Sequence, residues 1–179
     1  MAIVAGDLLF KFSVKTGSAG DSVAGNAGDS LGKYISTTEI ADATLNNLFD
    51  DVSGDDNAAS DVEYRCIFVH NNHASLTWES PVVWLSAETA GGADIDIAVD
   101  DVATSAKGSA SAQADEVADE DTAPSGESFS APTTKGTGLS LGNIPAGNVR
   151  GIWMRRTATN SAALDNDDVT LQFEGDTAA

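Results

Sequence analysis

A chain of 179 residues with 28 Asp and Glu against nine Lys and Arg carries a formal charge of −19 and a pI near 4.1. Such a surface repels phosphate backbones and anionic lipid, which argues against nucleic acid and membrane as partners and leaves solubility, cations, a basic docking surface or a high-salt setting to explain the bias. The length suits one domain, expected to span 1–179 and to bury roughly 70% of its unfolded surface, and the single cysteine excludes an intrachain disulfide.

The N-terminus reads as neither a secretory signal nor a membrane span, because Asp7 and Lys11 interrupt the stretch from Met1 to Val14. Synthesis in a reducing cytoplasm is the expectation. Leu8, Phe10, Phe12 and Val14 alternate with Leu9, Lys11, Ser13 and Lys15, the period of a strand with one wet face. Residues 17–32 are rich in Gly, Ser, Asp and Ala and read as a long loop. Ile40 to Val52 is the best helical candidate, with Ile40, Leu45, Leu48, Phe49 and Val52 near helical spacing. Asp50, Asp51, Asp55 and Asp56 flank Ser53-Gly54 and offer hard oxygen ligands, but the twelve-residue calcium loop with its closing Glu is missing, and a solvated acidic loop is expected.

Val62 to Val69 begins as alternation and turns apolar on both parities at Cys66, which reads as a buried, inert thiol. Asn71-Asn72-His73 is a plausible hairpin turn before Ser75 to Glu79, which alternates around Leu76 and Trp78. His70 and His73 form an H-x-x-H pair, but a strand-turn boundary does not put both rings on one face; solvated turn histidines are expected and no metal site is assigned. Val82 to Leu85 suggests a strand covered on two faces, and Ile95, Ile97 and Val99 alternate with Asp94, Asp96 and Ala98. Residues 104–137 are acidic and low in complexity, with almost no large apolar side chain before Phe129, so they are expected to be a mobile loop or an arm ordered by a neighbour.

A turn at Pro145, Gly147 and Asn148 leads into Val149 to Arg156, where three of the nine basic residues stand among Ile152, Trp153 and Met154. Strand parity puts Arg150, Ile152, Met154 and Arg156 on one face and Val149, Gly151, Trp153 and Arg155 on the other. Arg150, Arg155, Arg156 and Trp153 are the candidate partner contacts; the alternative is that the arginines pair within their own sheet. Val169, Leu171 and Phe173 form a last strand. The sum is an all-β antiparallel sandwich or barrel, jelly-roll-like, with helix below about a fifth of the chain. Phe10, Phe12, Tyr64, Phe68, Trp84, Ile97, Leu171 and Phe173 are its expected core. No nucleophile elbow, phosphate loop or other catalytic pattern occurs, so no enzyme and no cofactor are expected. Trp78, Trp84 and Trp153 would support a calcium-dependent carbohydrate-binding module only if they stood exposed in a row.

Leu48-Phe49-Asp50-Asp51-Val52-Ser53-Gly54-Asp55, then Glu63-Tyr64-Arg65-Cys66-Ile67-Phe68-Val69 with the Asn71-Asn72 turn, and the run from Asn143 through Trp153 to Arg156 resemble virion structural proteins of tailed bacteriophages. The class includes capsid decoration (cement) proteins and tail and neck components. The resemblance implies a virion protein made in the host cytoplasm, a decoration protein first and a tail or appendage component second. Its partner would be the major capsid protein, bound by surface burial and charge pairing, with a symmetric homo-oligomer such as a trimer multiplying the contacts.

Overall fold

The computed structural model describes residues 2–164 and 166–177. With 38% strand and 7% helix, two antiparallel sheets pack face to face as a sandwich, and no barrel closes. The larger sheet runs β2 (Tyr34–Glu39), β1 (Leu8–Val14), β3 (Val62–Asn71), β8 (Asn148–Thr157), β5 (Asp94–Val99), and the short β6 (Ser105–Ala106) also pairs with β8. The smaller sheet runs β7 (Leu139–Ser140), β4 (Trp78–Glu88), β9 (Val169–Thr177).

Alternation sorts the larger sheet into two apolar layers. Phe12, Ile67, Val69, Ile95, Ile97, Ile152 and Met154 meet Trp78, Val83 and Leu85 of the smaller sheet between the layers. On the opposite face Ile35, Cys66, Phe68, Ala98, Val149 and Trp153 form a second cluster. A sandwich face of this kind is normally wet; here the segment 104–137 lies on it. Its Ala114 and Val117 are buried in the second cluster and Phe129 packs against them. The expectation of a mobile or neighbour-ordered arm is thereby corrected: the segment's backbone finds partners in its own chain, with Gln113 N donating to Lys33 O at 2.6 Å, Val117 N to Leu31 O at 3.1 Å and Tyr64 N donating to Glu120 O at 2.7 Å. Small residues suit this role, because the segment lies close to the sheet and the 17–32 loop. At Gly32, with φ +89°, a Cβ would stand 1.8 Å from Asp115 O, a place only glycine fits.

Four expected core residues, Phe12, Phe68, Trp84 and Ile97, are buried; Phe10, Tyr64, Leu171 and Phe173 are half-buried and pack on the margins of the two clusters. Ile40 to Val52 is not a helix. Ala43 and Asn46 take left-handed backbone at φ 51° and 56°, and Asp42 and Asn47 bond nearby backbone through their side chains, the competition that makes short polar residues poor helix formers. Its Leu48, Ile40 and Phe49 instead pack on the inter-sheet core. The helix comes next, α1 (Gly54–Ala59), started by a capping box in which Ser53 and Asp56 bond each other's backbone amide. The Asn71-Asn72-His73 turn is likewise no hairpin, since β3 and β4 belong to different sheets. It is a corner held by the Asn71 amide, which donates to Leu76 O at 2.8 Å and Ile144 O at 2.9 Å. In β4 the register shifts between Glu79 and Val82, with Ser80 at φ 48°, and Trp78 joins Val83 and Leu85 in the core.

Candidate functional site

β8 is an inner strand of the larger sheet, flanked by β3 on one side and by β5 and β6 on the other; Arg155 and Arg156 meet a strand on both sides, whereas Arg150 pairs with Val69 of β3 and faces the break between β5 and β6. Parity acts as expected: Ile152 and Met154 point between the sheets, Val149 and Trp153 toward the covered outer face. Arg155 on the outer face stands opposite Asp96 of β5, its Nε 3.2 Å from Oδ2, and its guanidinium lies 5.2 Å from the Phe129 ring centroid. The bond to Asp96 raises the Arg155 pKa. Arg156 stands opposite Glu63 of β3, with Nε donating at 2.7 Å; it also donates to Asp50, and Phe49 lies 4.8 Å beneath it. Cross-strand pairing of opposite charges is thus the local role of both residues. Arg150 donates to Val102 O. Burial depresses its pKa, while the carboxylates of Asp100, Glu127 and Asp101 favour its charge.

The ladder between β8 and its neighbour is interrupted between Val99 and Ser105, and the chain that leaves it carries Asp100. Asp100 is fully buried, its Oδ2 accepting from Trp153 Nε1 at 2.7 Å and Asp115 N at 2.9 Å, its Oδ1 from Val102 N at 2.8 Å. Three donors satisfy one carboxylate, as a buried charge requires; burial still raises its pKa, with these bonds opposing the rise. Asp101 and Glu127 bring their carboxylate oxygens within 4.8 Å of that of Asp100, at an open depression bordered by Val99, Leu139 and Ser140. Partial burial pushes Glu127 up to about 7, the bond from Asp101 N opposing and Asp100 and Asp101 adding to the rise. Three hard oxygen donors can ligate a divalent cation, but three internal donors already occupy most of the Asp100 carboxylate's acceptor sites and Arg150 stands beside the group. The sequence does not point to this cluster because Glu127 is distant in the chain and lies in a segment expected to be a mobile loop or an arm ordered by a neighbour; the Asp100-Asp101 pair ending an alternating strand is its one visible signal.

Of the candidate contacts, Trp153 is wholly buried and the Arg156 side chain is 10% exposed, whereas Arg155 retains 34%. The acidic group at 50–56 is divided: Asp50 binds Arg156, Asp56 caps α1, and Asp51 and Asp55 are exposed. His70 is not a solvated turn residue; it is buried with neither ring nitrogen bonded, and desolvation, aided by Lys107 and Lys11, lowers its pKa to about 4. His73 instead accepts the amides of Ser75 and Leu76 on Nδ1. The three tryptophans are 3%, 6% and 0% exposed, so they form no platform for a sugar. No family model matches the chain, and no curated protein or solved structure was found to match it.

Proposed function

We propose that this chain is a structural protein of a tailed-phage virion, a capsid decoration protein that binds the major capsid protein and reinforces the head by burying surface, without chemical turnover. The observation that carries the proposal is that both long low-complexity segments pack on their own chain, residues 17–32 along the outside of β2 and residues 104–137 over the outer face of the larger sheet, with Lys11 and Lys107 joined to Asp21 and Lys33 to Glu116. A surface already ordered loses little entropy on docking, the property that a reinforcing protein needs. Arg155, the most exposed of the β8 side chains named as contacts, is the arginine offered to the capsid partner, and Leu45, 68% exposed, is an apolar anchor within the 40–52 segment. A homo-oligomer such as a trimer would repeat these contacts about a capsid symmetry axis. The runner-up is a tail or appendage component of the same virion. Electron microscopy of particles from which the protein has been deleted and restored tests both: density on the head lattice supports decoration, density on the tail selects the runner-up, and particles that never contain the protein refute the proposal.

A further inference from the structure

The larger sheet protects its edges with its own chain. Outside β2, Asp21 N donates to Ile35 O at 2.7 Å and Thr37 N to Val23 O at 2.9 Å. Outside β5, Ile97 and Ser130 exchange both amide bonds, at 2.8 and 3.0 Å. The smaller sheet ends differently. β9 is a nine-residue edge strand whose only strand partner is β4, and among the described residues no backbone hydrogen bond reaches its far side. An open edge of that length offers a row of unpaired amides and carbonyls to any extended segment.

The side chains define which segment fits. Val169, Leu171 and Phe173 face the core yet are only half-buried, because no strand lies beyond them; Phe173 leans on Phe10 with ring centroids 4.6 Å apart. The alternate row, Thr170, Gln172, Glu174 and Asp176, is exposed, and its charges are both acidic. Only Glu174 has a basic partner, Lys135, and that pair is more than half exposed. A second copy pairing along β9 would bring together two such rows in chains of charge −19. An incoming strand with Lys or Arg on one parity and apolar residues on the other would meet acid outside and Leu171 and Phe173 inside. We infer that β9 is a docking edge for an extended segment of another protein, one that alternates basic and apolar residues and adds as a fourth strand of the smaller sheet. The inference stands on the open edge and its charge alone, independent of any virion role.

The test uses the full chain with a synthetic nine-residue peptide alternating lysine and valine, and a lysine–proline peptide of equal charge that cannot pair as a strand. Amide hydrogen exchange followed by NMR is expected to show the lysine–valine peptide protecting alternate amides within Val169–Thr177, and the lysine–proline peptide protecting none. Glu174→Lys with Asp176→Lys, at exposed positions, should weaken that binding by at least about tenfold while leaving the exchange of core amides in β3 unchanged. Equal binding of both peptides, protection confined to other strands, no protection at saturating peptide, or β9 amides already protected in a sedimenting dimer of the free protein would each overturn the inference.

Discussion

Trp153 Nε1 donates to Asp100 Oδ2 at 2.7 Å, and through that bond β8 holds the point where its neighbouring edge breaks away. Two fully buried side chains meet there, so each has an outsized effect on stability. Trp153→Phe keeps most of the ring but removes one of three donors and should cost about 1–3 kcal/mol. Asp100→Ala leaves all three donors unpaired and should cost more. Urea denaturation of the two variants checks the order; equal, negligible losses would show that the carboxylate is not the hub of this corner.

Phe68 is wholly buried in the outer cluster, where the sheet meets the 104–137 segment. Phe68→Ala should cost about 3–5 kcal/mol, and amides within the covering segment should exchange faster as the cavity loosens it. Phe173→Ala, at a half-buried edge position, should cost clearly less, a ranking that a pair of denaturant titrations settles.

The covering segment also predicts a pH signature. His70 has its pKa lowered to about 4 from 6.5, so the unfolded chain binds the proton more readily, and this residue's contribution to stability is lost as pH falls from about 6.5 toward 4. Glu127 has its pKa raised to about 7 from 4.5, so its contribution is present below about 4.5 and is lost as pH rises through 7. The charged groups acting on His70 are Lys107, Lys11 and Asp21; on Glu127 they include Asp100, Asp101 and Asp115. Measured as differences from the parent across pH 4 to 8, His70→Asn should flatten the acid-side loss and Glu127→Gln the neutral-side loss. Parallel stability curves for parent and variants would contradict both assignments.

The two adjacent arginines should separate cleanly. Arg156→Ala abandons Glu63, a carboxylate only 13% exposed, and should cost several kcal/mol, about 3–5 where the pair behaves as buried. Arg155→Ala removes a more exposed pair and should cost about 1 kcal/mol or less. If the proposed capsid contact is real, Arg155→Ala should nonetheless lower occupancy on particles, increasingly at low salt where charge pairing counts most. Unchanged occupancy across a salt series with an intact fold would leave Arg155 as the local partner of Asp96 alone.

Much of the sandwich was legible because strand alternation is a local property: each of Leu8 to Val14, Asp94 to Val99 and Val169 to Phe173 carries its own period-two record of which face is apolar. The parity of Arg150, Arg155 and Arg156 followed from the same rule. Local polar chemistry overrode periodicity at Ile40 to Val52, where Asp42 and Asn47 bond backbone that a helix would have used. What the sequence by itself determined, then, is the class of fold and the face each strand residue takes, since both depend on neighbours one or two positions away. Only the tertiary structure decided that residues 104–137 cover the sheet, that Asp100 gathers Trp153, Asp115 and Val102, and that, among the described residues, His70 is buried without a partner and β9 alone of the long edges is left open. Each of those outcomes depends on pairings between residues far apart in the chain, and a segment poor in large apolar side chains carries no local mark of the surface it will lie against.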